Sequence, residues 1–250
     1  MRPIVTLLTD FGTADGYVAE LKGVLLSLAP ESQLVDASHE VPPHDVESAR
    51  LALARYWRRY PAGTVHLVVV DPGVGSARRA LAVASRDLFL VGPDNGALSP
   101  ALLLPGARVV SLPVPPQASQ TFHGRDVFAP AAARLAAGAS LESLGRPCDD
   151  PLIRRTPEAH RLPDGGVRGE VIAVDRFGNL VTNLIARREG GVEVAGRHVP
   201  LARTYADAPP GALLALTGSS GLVEIALRDG SAARELGVVR GAPVILRQRD

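Results

Sequence analysis

The chain has 250 residues, of which 46% are apolar and 21% charged, and its 27 basic and 26 acidic side chains leave a formal net charge of +1. This composition predicts a globular protein with one large core or two smaller ones, and it argues against disorder. Charges of both signs are spread along the sequence, so no basic face indicates a nucleic-acid partner. The apolar stretch after Met1 ends before Asp10 and is too short for a signal peptide or a membrane span. We therefore expect a cytoplasmic protein without a membrane partner.

Strand and helix patterns alternate in the first part of the chain. Residues 15–28, 45–59 and 124–137 have the apolar spacing of helices. Short apolar runs among them predict strands, namely IVTLL, QLVDA, VHLVVV, LFLV and RVVSL. This alternation is typical of an α/β domain with a mostly parallel sheet, which we place at residues 1–150. The segment that follows is rich in proline and has little periodicity, and we assign 151–166 to a linker.

The pattern changes over residues 167–250. Short alternating strands are separated there by glycine turns, and they read GEVIAV, LVTNLI, GVEVAG, ALLALTG, LVEIAL and APVILRQ. Strands of this length with turns between them predict a smaller antiparallel sheet or barrel.

The turn VVVDPGVGSARR joins the predicted strand at 65–70 to a second strand pattern, ALAVAS. Its Gly-x-Gly matches the start of a dinucleotide fingerprint, but that fingerprint needs a helix after the glycines, and here a strand follows. The turn has two remaining interpretations. In one, Asp71 only accepts backbone N–H groups while the glycines supply positive φ. In the other, the strand brings Asp71 and the basic residue Arg78 to a site.

Carboxylates follow three of the predicted strands, at Asp10, Asp71 and Asp175. Ligands of open α/β sheets bind beyond the carboxyl ends of strands, so carboxylates there are candidates for a site. His123 directly precedes a helix that we expect to begin at residues 124–126. It is either structural, as a cap or a satisfied turn residue, or a catalytic imidazole whose pKa the helix N-terminus lowers.

Two rare residue types exclude other classes of site. Lys22 is the only lysine and lies in a predicted helix, and the chain contains no phosphate-binding loop of the form G-x-x-x-x-G-K-[ST]. Cys148 is the only cysteine, which excludes an intramolecular disulfide and a zinc site with several thiolates. The tripeptide DFG that begins at Asp10 lacks the other motifs of a protein kinase.

Six motifs in this order resemble those of the S-adenosyl-L-methionine hydroxide adenosyltransferases, relatives of the fluorinating and chlorinating enzymes that act on the same substrate. They read LLTDFGTADGYVAELKG, HEVPPHDVESA, VVVDPGVGSARR, VGPDNG, TFHGRDVFAPAAA and DRFGNLVTN, and TGSSGLVEIA near the C-terminus also fits. The resemblance implies hydrolysis of S-adenosyl-L-methionine to adenosine and L-methionine, by attack of a water-derived oxygen on ribose C5′. It also implies an α/β N-terminal domain, a β-rich C-terminal domain and a homotrimer with sites between neighbouring subunits. S-adenosylmethionine is then the substrate, and we expect neither a metal nor a cofactor.

The resemblance implies a role for each matching residue. The Asp–Arg–His set that handles water falls on Asp71, Arg78 and His123, whereas Arg79 is structural. The substrate-binding positions are Asp10 for the ribose diol, Asn179 and Phe177 for adenine, Asp175 and Ser219 for the methionine ammonium and carboxylate, and Asp15 and Glu224 as neighbours. A guanidinium stays protonated, so the proton of the water goes to Asp71 or to His123.

Two other functions compete with hydrolysis. A halide-dependent adenosyltransferase is disfavoured by Asp71 and His123, where the halogenating relatives depart from these residues, and by Gly124, where their halide-binding serine would fall. A non-catalytic module that binds adenosine or S-adenosylmethionine would not need the complete Asp71–Arg78–His123 set.

Overall fold

The computed structural model of the chain describes residues 2–186 and 189–248. The chain divides into two compact units, Met1–Arg154 and Arg155–Asp250. The change of unit falls inside the segment 151–166 that the sequence assigns to a linker. Within that segment, residues 160–161 form a short strand of the second unit.

The first unit is a mixed β-sheet with helices. Its described strands are β1 (Ile4–Thr9), β2 (Gln33–Ser38), β3 (Val65–Val69), β4 (Ala80–Ser85), β5 (Leu88–Pro93), β6 (Arg108–Leu112) and β7 (Arg146–Pro147). Its described helices are α1 (Tyr17–Leu28), α2 (Val46–Tyr56), α3 (Ser99–Leu102) and α4 (Ala129–Ala136), with 3₁₀ turns at Trp57–Arg59 and Leu141–Ser143 and a π-helical turn at Gly124–Phe128.

The sheet order is β2-β1-β3-β5-β4-β6-β7. The strands from β2 to β5 in that order pair in parallel, and the remaining neighbours pair antiparallel. The α/β prediction is therefore confirmed, and each predicted apolar run of this unit forms a strand. Helix α1 begins at Tyr17, later than expected, because Gly16 has φ +78° and is not helical. The short helix α3 was not predicted.

Helices cover both faces of this sheet. Residues 65–69 of β3 are all buried, and their side chains alternate between the two hydrophobic cores. One core contains α1 and α4, and the other contains α2 and α3. A strand that is buried on both faces reads as a continuous apolar run, which explains why β3 was evident in the sequence.

The second unit is an antiparallel, barrel-like sheet. Its described elements are β8 (His160–Arg161), β9 (Val167–Val174), β10 (Leu180–Thr182), β11 (Gly190–Val194), β12 (Arg197–Pro200), β13 (Leu213–Thr217), β14 (Val223–Leu227), α5 (Ala232–Leu236) and β15 (Pro243–Gln248), with a 3₁₀ turn at Tyr205–Asp207. The strand order is β12-β11-β15-β9-β10-β14-β13, with β8 beside β9. Just after β12, Leu201 bridges to Ala215 of β13, so the sheet nearly closes on itself. This confirms the predicted β-rich C-terminal architecture.

No helix among the described residues has the length and apolar character needed to cross a membrane.

A buried histidine lies inside the first unit, near the start of β3 and away from the carboxyl end where the cleft lies. His66 on β3 is fully buried, and its ring centroid lies 5.6, 6.4 and 5.5 Å from those of Tyr56, Trp57 and Tyr60. Its Nδ1 atom lies 2.8 Å from Oγ1 of Thr6. Burial lowers the pKa of His66 to about 4.

Acid is expected to destabilise the protein through His66. Because the pKa of His66 is about 4 in the folded chain and about 6.5 in an unfolded one, the unfolded state binds the proton first as the pH falls. Above about pH 6.5 the titration of His66 does not lower the free energy of unfolding. Between there and about pH 4 it lowers that free energy by about 3 kcal/mol. Denaturant unfolding of wild type and His66→Leu at neutral pH and near pH 4.5 measures the loss. The variant should lack it, and an equal loss in both proteins would contradict the assignment.

Candidate active site

A cleft of about 300 Å³ lies in the first unit, where β1 and β3 end. Asp10 directly follows β1 and Asp71 comes just after β3, and because these strands are parallel neighbours, both carboxylates lie at the same edge of the sheet. Both residues line the cleft, together with His123 and Gly124 from the start of the π-helical turn. The first unit thus brings Asp10, Asp71 and His123 to one place.

Arg78 joins Asp71 to His123. Its Nε donates to Asp71 Oδ1 at 2.9 Å, and its Nη2 donates to the other carboxylate oxygen and, at 3.0 Å, to His123 Nδ1. The side chains of Arg78 and Asp71 are only 10% and 6% exposed, so solvent screens this ion pair little. Arg78 thus donates to both oxygens of Asp71, whereas the structural interpretation has this carboxylate accept backbone N–H groups of its own turn.

The turn that carries Arg78 packs tightly against the loop before His123. Gly75 has φ +76°, and a Cβ atom there would lie 2.4 Å from the backbone oxygen of Gln120. Only glycine allows this approach without a shift of the backbone. The glycines of the motif therefore serve the packing between the two segments that hold the Asp–Arg–His set.

The hydrogen bond from Arg78 determines the tautomer of His123. A guanidinium only donates, so Nδ1 of His123 is the acceptor and the neutral ring carries its proton on Nε2. Burial, and then the charge of Arg78, lower the pKa of His123 although Asp71 and Asp126 oppose the shift. The ring is therefore neutral at neutral pH.

His123 Nε2 is buried without a hydrogen-bond partner among the described residues. The side chain makes no capping hydrogen bond to the helix that follows, so the interpretation of His123 as a cap does not fit. His123 itself lines the cleft, and a buried donor without a partner is costly.

Asp10 is held by the backbone of His44, another residue that lines the cleft. Its Oδ2 accepts the backbone N–H of His44 at 2.8 Å, and His44 adopts a left-handed conformation with φ +66°. Asp10 lines the cleft and is partly exposed, as a diol acceptor requires. Asp15 is exposed on the loop between β1 and α1 and is not among the residues that line the cleft.

Aromatic side chains that sequence reasoning did not single out form one wall of the cleft. The ring centroids of Phe11, Tyr17 and Phe122 lie 5.4–5.9 Å apart in tilted or edge-to-face contact. Phe11 and Tyr17 belong to the motif that carries Asp10, and Phe122 precedes His123. Because these three aromatic residues lie within the motifs that carry Asp10 and His123, the sequence could have identified them as candidates for the cleft.

The second unit holds the remaining predicted residues. Asp175 organises a turn after β9, since its carboxylate accepts the backbone N–H groups of Phe177 and Asn179 at 2.9 and 2.8 Å and the Asn179 amide at 2.9 Å. Asn179 is buried, whereas the Phe177 side chain protrudes and is 77% exposed. The turn thus presents one aromatic ring on a rigid support.

Ser219 and Glu224 lie on the β13–β14 hairpin of the same unit. Ser219 is exposed in the turn, and Glu224 is buried on β14. Burial raises the pKa of Tyr205, and so do the charges of Glu224 and Asp175 and a hydrogen bond with Glu224. Sequence reasoning missed Tyr205, which no motif marks.

Within the described residues, no group of three or more His, Cys, Asp or Glu side chains is arranged to hold a metal ion.

Comparison with known proteins places the chain in a family. Residues 5–145 match the model of the SAM hydroxide adenosyltransferase N-terminal domain, and residues 169–245 match that of the C-terminal domain. The chain therefore belongs to the SAM hydroxide adenosyltransferase family.

Individual relatives agree with this assignment. A protein of Thermus thermophilus named (R)-S-adenosyl-L-methionine hydrolase is 46% identical over 98% of this chain and 100% of its own length. A fluorinase of Actinopolyspora mzabensis is 29% identical over 97% of this chain and 96% of its own length. The crystal structure of an uncharacterized conserved protein from Thermotoga maritima superposes with a TM-score of 0.89 at 32% identity, covering 98% of this chain and 100% of that one.

Proposed function

We propose that the chain is an enzyme that hydrolyses S-adenosyl-L-methionine to adenosine and L-methionine. Family membership and the 46% identity to a protein named as such a hydrolase support this activity. The observation that carries it is the buried Asp71–Arg78–His123 set, which leaves the Nε2–H of His123 unpaired where the residue lines the cleft.

Free hydroxide does not form before attack. Moving a proton from water, pKa about 15.7, to an ordinary histidine, pKa about 6.5, costs about 12 kcal/mol. As the bond between the water oxygen and C5′ forms, however, that oxygen becomes positively charged and its protons become strongly acidic. Proton transfer therefore accompanies attack, and a carboxylate is a sufficient acceptor.

The hydrogen bonds of the set support a division of roles among its three residues. Nδ1 of His123 already accepts from Arg78, so His123 acts as a donor, and its Nε2–H holds one lone pair of the water. Asp71 accepts the proton, through the lone pairs that Arg78 leaves free. Arg78 holds the carboxylate of Asp71 and the imidazole of His123 in a fixed relative position. The water's remaining lone pair attacks C5′ while the C5′–S bond breaks and the sulfonium leaves as the neutral thioether of methionine.

Holding water in line with the breaking bond accounts for much of the acceleration. Methionine is a good leaving group when it departs from a sulfonium. The reaction therefore depends more on the position of the attacking water than on protonation of the leaving group. A well-oriented intramolecular reactant lowers the barrier by up to about 7–11 kcal/mol. We propose that neither a metal nor a cofactor takes part, so a chelator should not change the rate.

The packing around Gly124 favours water over a halide ion as the nucleophile. A Cβ atom there would lie 3.2 Å from Phe122 and 3.3 Å from both Leu21 and Val69. A serine side chain at this position would therefore require its neighbours to move. Without such movement, the site therefore has no room for a serine hydroxyl that would donate a hydrogen bond to a halide.

The product assay separates the three candidate functions. Purified protein is incubated with S-adenosylmethionine in halide-free buffer, and adenosine and methionine are quantified. Hydrolysis predicts equal amounts of both. Substrate that is bound but recovered unchanged would indicate a binding module, and turnover only after addition of chloride or fluoride would indicate a halide-dependent adenosyltransferase.

Asp10→Ala is expected to weaken adenosine binding by about tenfold to a hundredfold, because an ionised carboxylate that accepts from both ribose hydroxyls is lost. Turnover of bound substrate should change less, since these contacts are distant from the breaking bond. Calorimetric titration with adenosine measures the first effect and saturation kinetics the second. Unchanged adenosine affinity would refute the assignment of Asp10 to the diol.

The substrate contacts of the second unit are part of the same proposal. Asn179 contacts adenine, Phe177 stacks on it, and Asp175 and Ser219 contact the methionine ammonium and carboxylate. Glu224 is a neighbouring contact in the same unit, and Asp15 is a neighbouring contact that belongs to the first unit. The exposed Phe177 ring on its rigid turn supports the stacking role.

We also propose that the protein acts in the cytoplasm as a homotrimer with its sites at subunit interfaces. Light scattering should then give three times the mass of one chain. A monomer that retains full activity would contradict the trimeric site.

A further inference from the structure

A line of polar contacts runs from the surface to the turn that carries Asp10, and the proposed reaction does not use it. Lys22 Nζ on α1 donates to Asp36 Oδ2 on β2 at 2.7 Å. The other oxygen of Asp36 lies 3.0 Å from His39 Nε2, off the line of an ideal hydrogen bond. His39 Nδ1 lies 2.8 Å from Oγ1 of Thr9, the last residue of β1.

The inner end of this line fixes the backbone on both sides of Asp10. The Oγ1 atom of Thr9 accepts the N–H of Phe11 at 3.3 Å. The backbone oxygen of His39 accepts the N–H of Gly12 at 2.8 Å. Asp10 lies between these two attachments, so its direction depends on where Thr9 and His39 are held.

The inner members are buried and the outer members lie at the surface. Thr9 is fully buried and His39 is 6% exposed, which makes their hydrogen bond costly to break. Burial alone would raise the pKa of Asp36, but the contacts with Lys22 and His39 outweigh it and lower that pKa. Asp36 is therefore a charged anchor that keeps the His39 ring in place. Lys22, the only lysine of the chain, secures Asp36.

We propose that Lys22, Asp36, His39 and Thr9 form a positioning relay that directs the Asp10 carboxylate and thereby sets the affinity for the ribose diol of a nucleoside. The residues that line the cleft do not include these four, so they act through Asp10 and are not catalytic residues. The inference rests on the proposed function, because it assumes that Asp10 binds the diol.

The chain contains a matched control for the relay. Thr6, on the same strand β1, pairs with His66 through the same two atoms and at the same 2.8 Å distance as Thr9 with His39. Both threonines are fully buried. The Thr6–His66 pair lies within the sheet and holds no residue of the cleft, so it reports the cost of losing such a hydrogen bond for stability alone.

The test compares Thr9→Val with Thr6→Val. Loss of one buried hydrogen bond should lower the stability of both variants to a similar extent. Only Thr9→Val should weaken adenosine binding, by about five- to tenfold, and raise KM for S-adenosylmethionine by a similar factor while kcat stays within about threefold. Thr9→Ser, which keeps the hydroxyl, should restore wild-type affinity. His39→Leu and His66→Leu provide a second matched pair.

The outcomes separate this inference from the function on which it rests. Wild-type adenosine affinity in Thr9→Val and His39→Leu, with normal binding by wild type, would overturn the relay and leave the proposed function intact. Equal weakening by Thr6→Val and Thr9→Val would show a purely structural role and also overturn it. If wild type itself does not bind adenosine, the assignment of Asp10 fails and the relay with it.

Discussion

Asp71→Asn is expected to lower kcat for S-adenosylmethionine hydrolysis by about a thousandfold while the affinity for the substrate changes by less than about threefold. Asparagine has nearly the same shape and can still accept a hydrogen bond from Arg78. It cannot take up the proton that water loses during attack. The interaction removed is therefore one that matters chiefly in the transition state. Single-turnover rates and equilibrium binding of the substrate measure the two quantities separately.

Asp94→Asn is the matched control for this change. Asp94 accepts from Nε of Arg79 at 2.8 Å, and its side chain is 5% exposed, close to the 6% of Asp71. This second Asp–Arg pair, in which the Arg79 side chain is 37% exposed, does not line the cleft. Asp94→Asn should lower stability and leave kcat within a few fold. Wild-type turnover in Asp71→Asn, or an equal loss in both variants, would refute the role of Asp71.

Arg78→Lys is expected to reduce kcat by about a hundredfold although the positive charge is kept. The guanidinium contacts Asp71 through two nitrogens and His123 through one of the same nitrogens, and one ammonium group cannot reproduce this planar set of donors. The carboxylate and the imidazole would then lose their fixed relative position. Steady-state kinetics at saturating substrate measure the effect.

Arg79→Lys provides the comparison at the neighbouring position. Arg79 pairs with Asp94 and Asp150, outside the cleft. The same substitution there should change kcat by less than about threefold, since only surface and structural pairs are altered. A larger loss at Arg79 than at Arg78 would show that the sequence motif had been assigned one residue out of register.

The main architecture could be predicted from the sequence because most strands and helices have a clear local pattern of apolar residues. Strand β3 is buried on both faces and therefore reads as an unbroken apolar run. Helix α3 has only four residues, too few for a periodic pattern, and it escaped prediction. Strand β12 (Arg197–Pro200) was also missed, because a short strand with one buried residue has little alternation to detect.

The sequence singled out candidate residues that line the cleft, but it did not specify the contacts between them. Asp10 and Asp71 could be placed at one edge because each follows a predicted strand. The bond from Arg78 to His123 joins residues 45 positions apart, and no local pattern specifies it. That contact indicates which nitrogen of His123 carries the proton, and the proposal that Asp71 accepts the proton of water rests on it. The long-range packing of Thr9 with His39 was hidden for the same reason.

Single-turnover hydrolysis in oxygen-18 water tests the direct attack of water most directly. Enzyme in excess is mixed with S-adenosylmethionine in halide-free buffer, and the adenosine formed is analysed by mass spectrometry. If Asp71, Arg78 and His123 hold water for displacement at C5′, the 5′-hydroxyl of the first adenosine carries the label. If Asp71 instead attacks C5′ and forms an ester that water later opens at its carbonyl, the first adenosine contains an unlabelled carboxylate oxygen. Labelled adenosine is the result we predict, and unlabelled first-turnover adenosine would contradict direct attack.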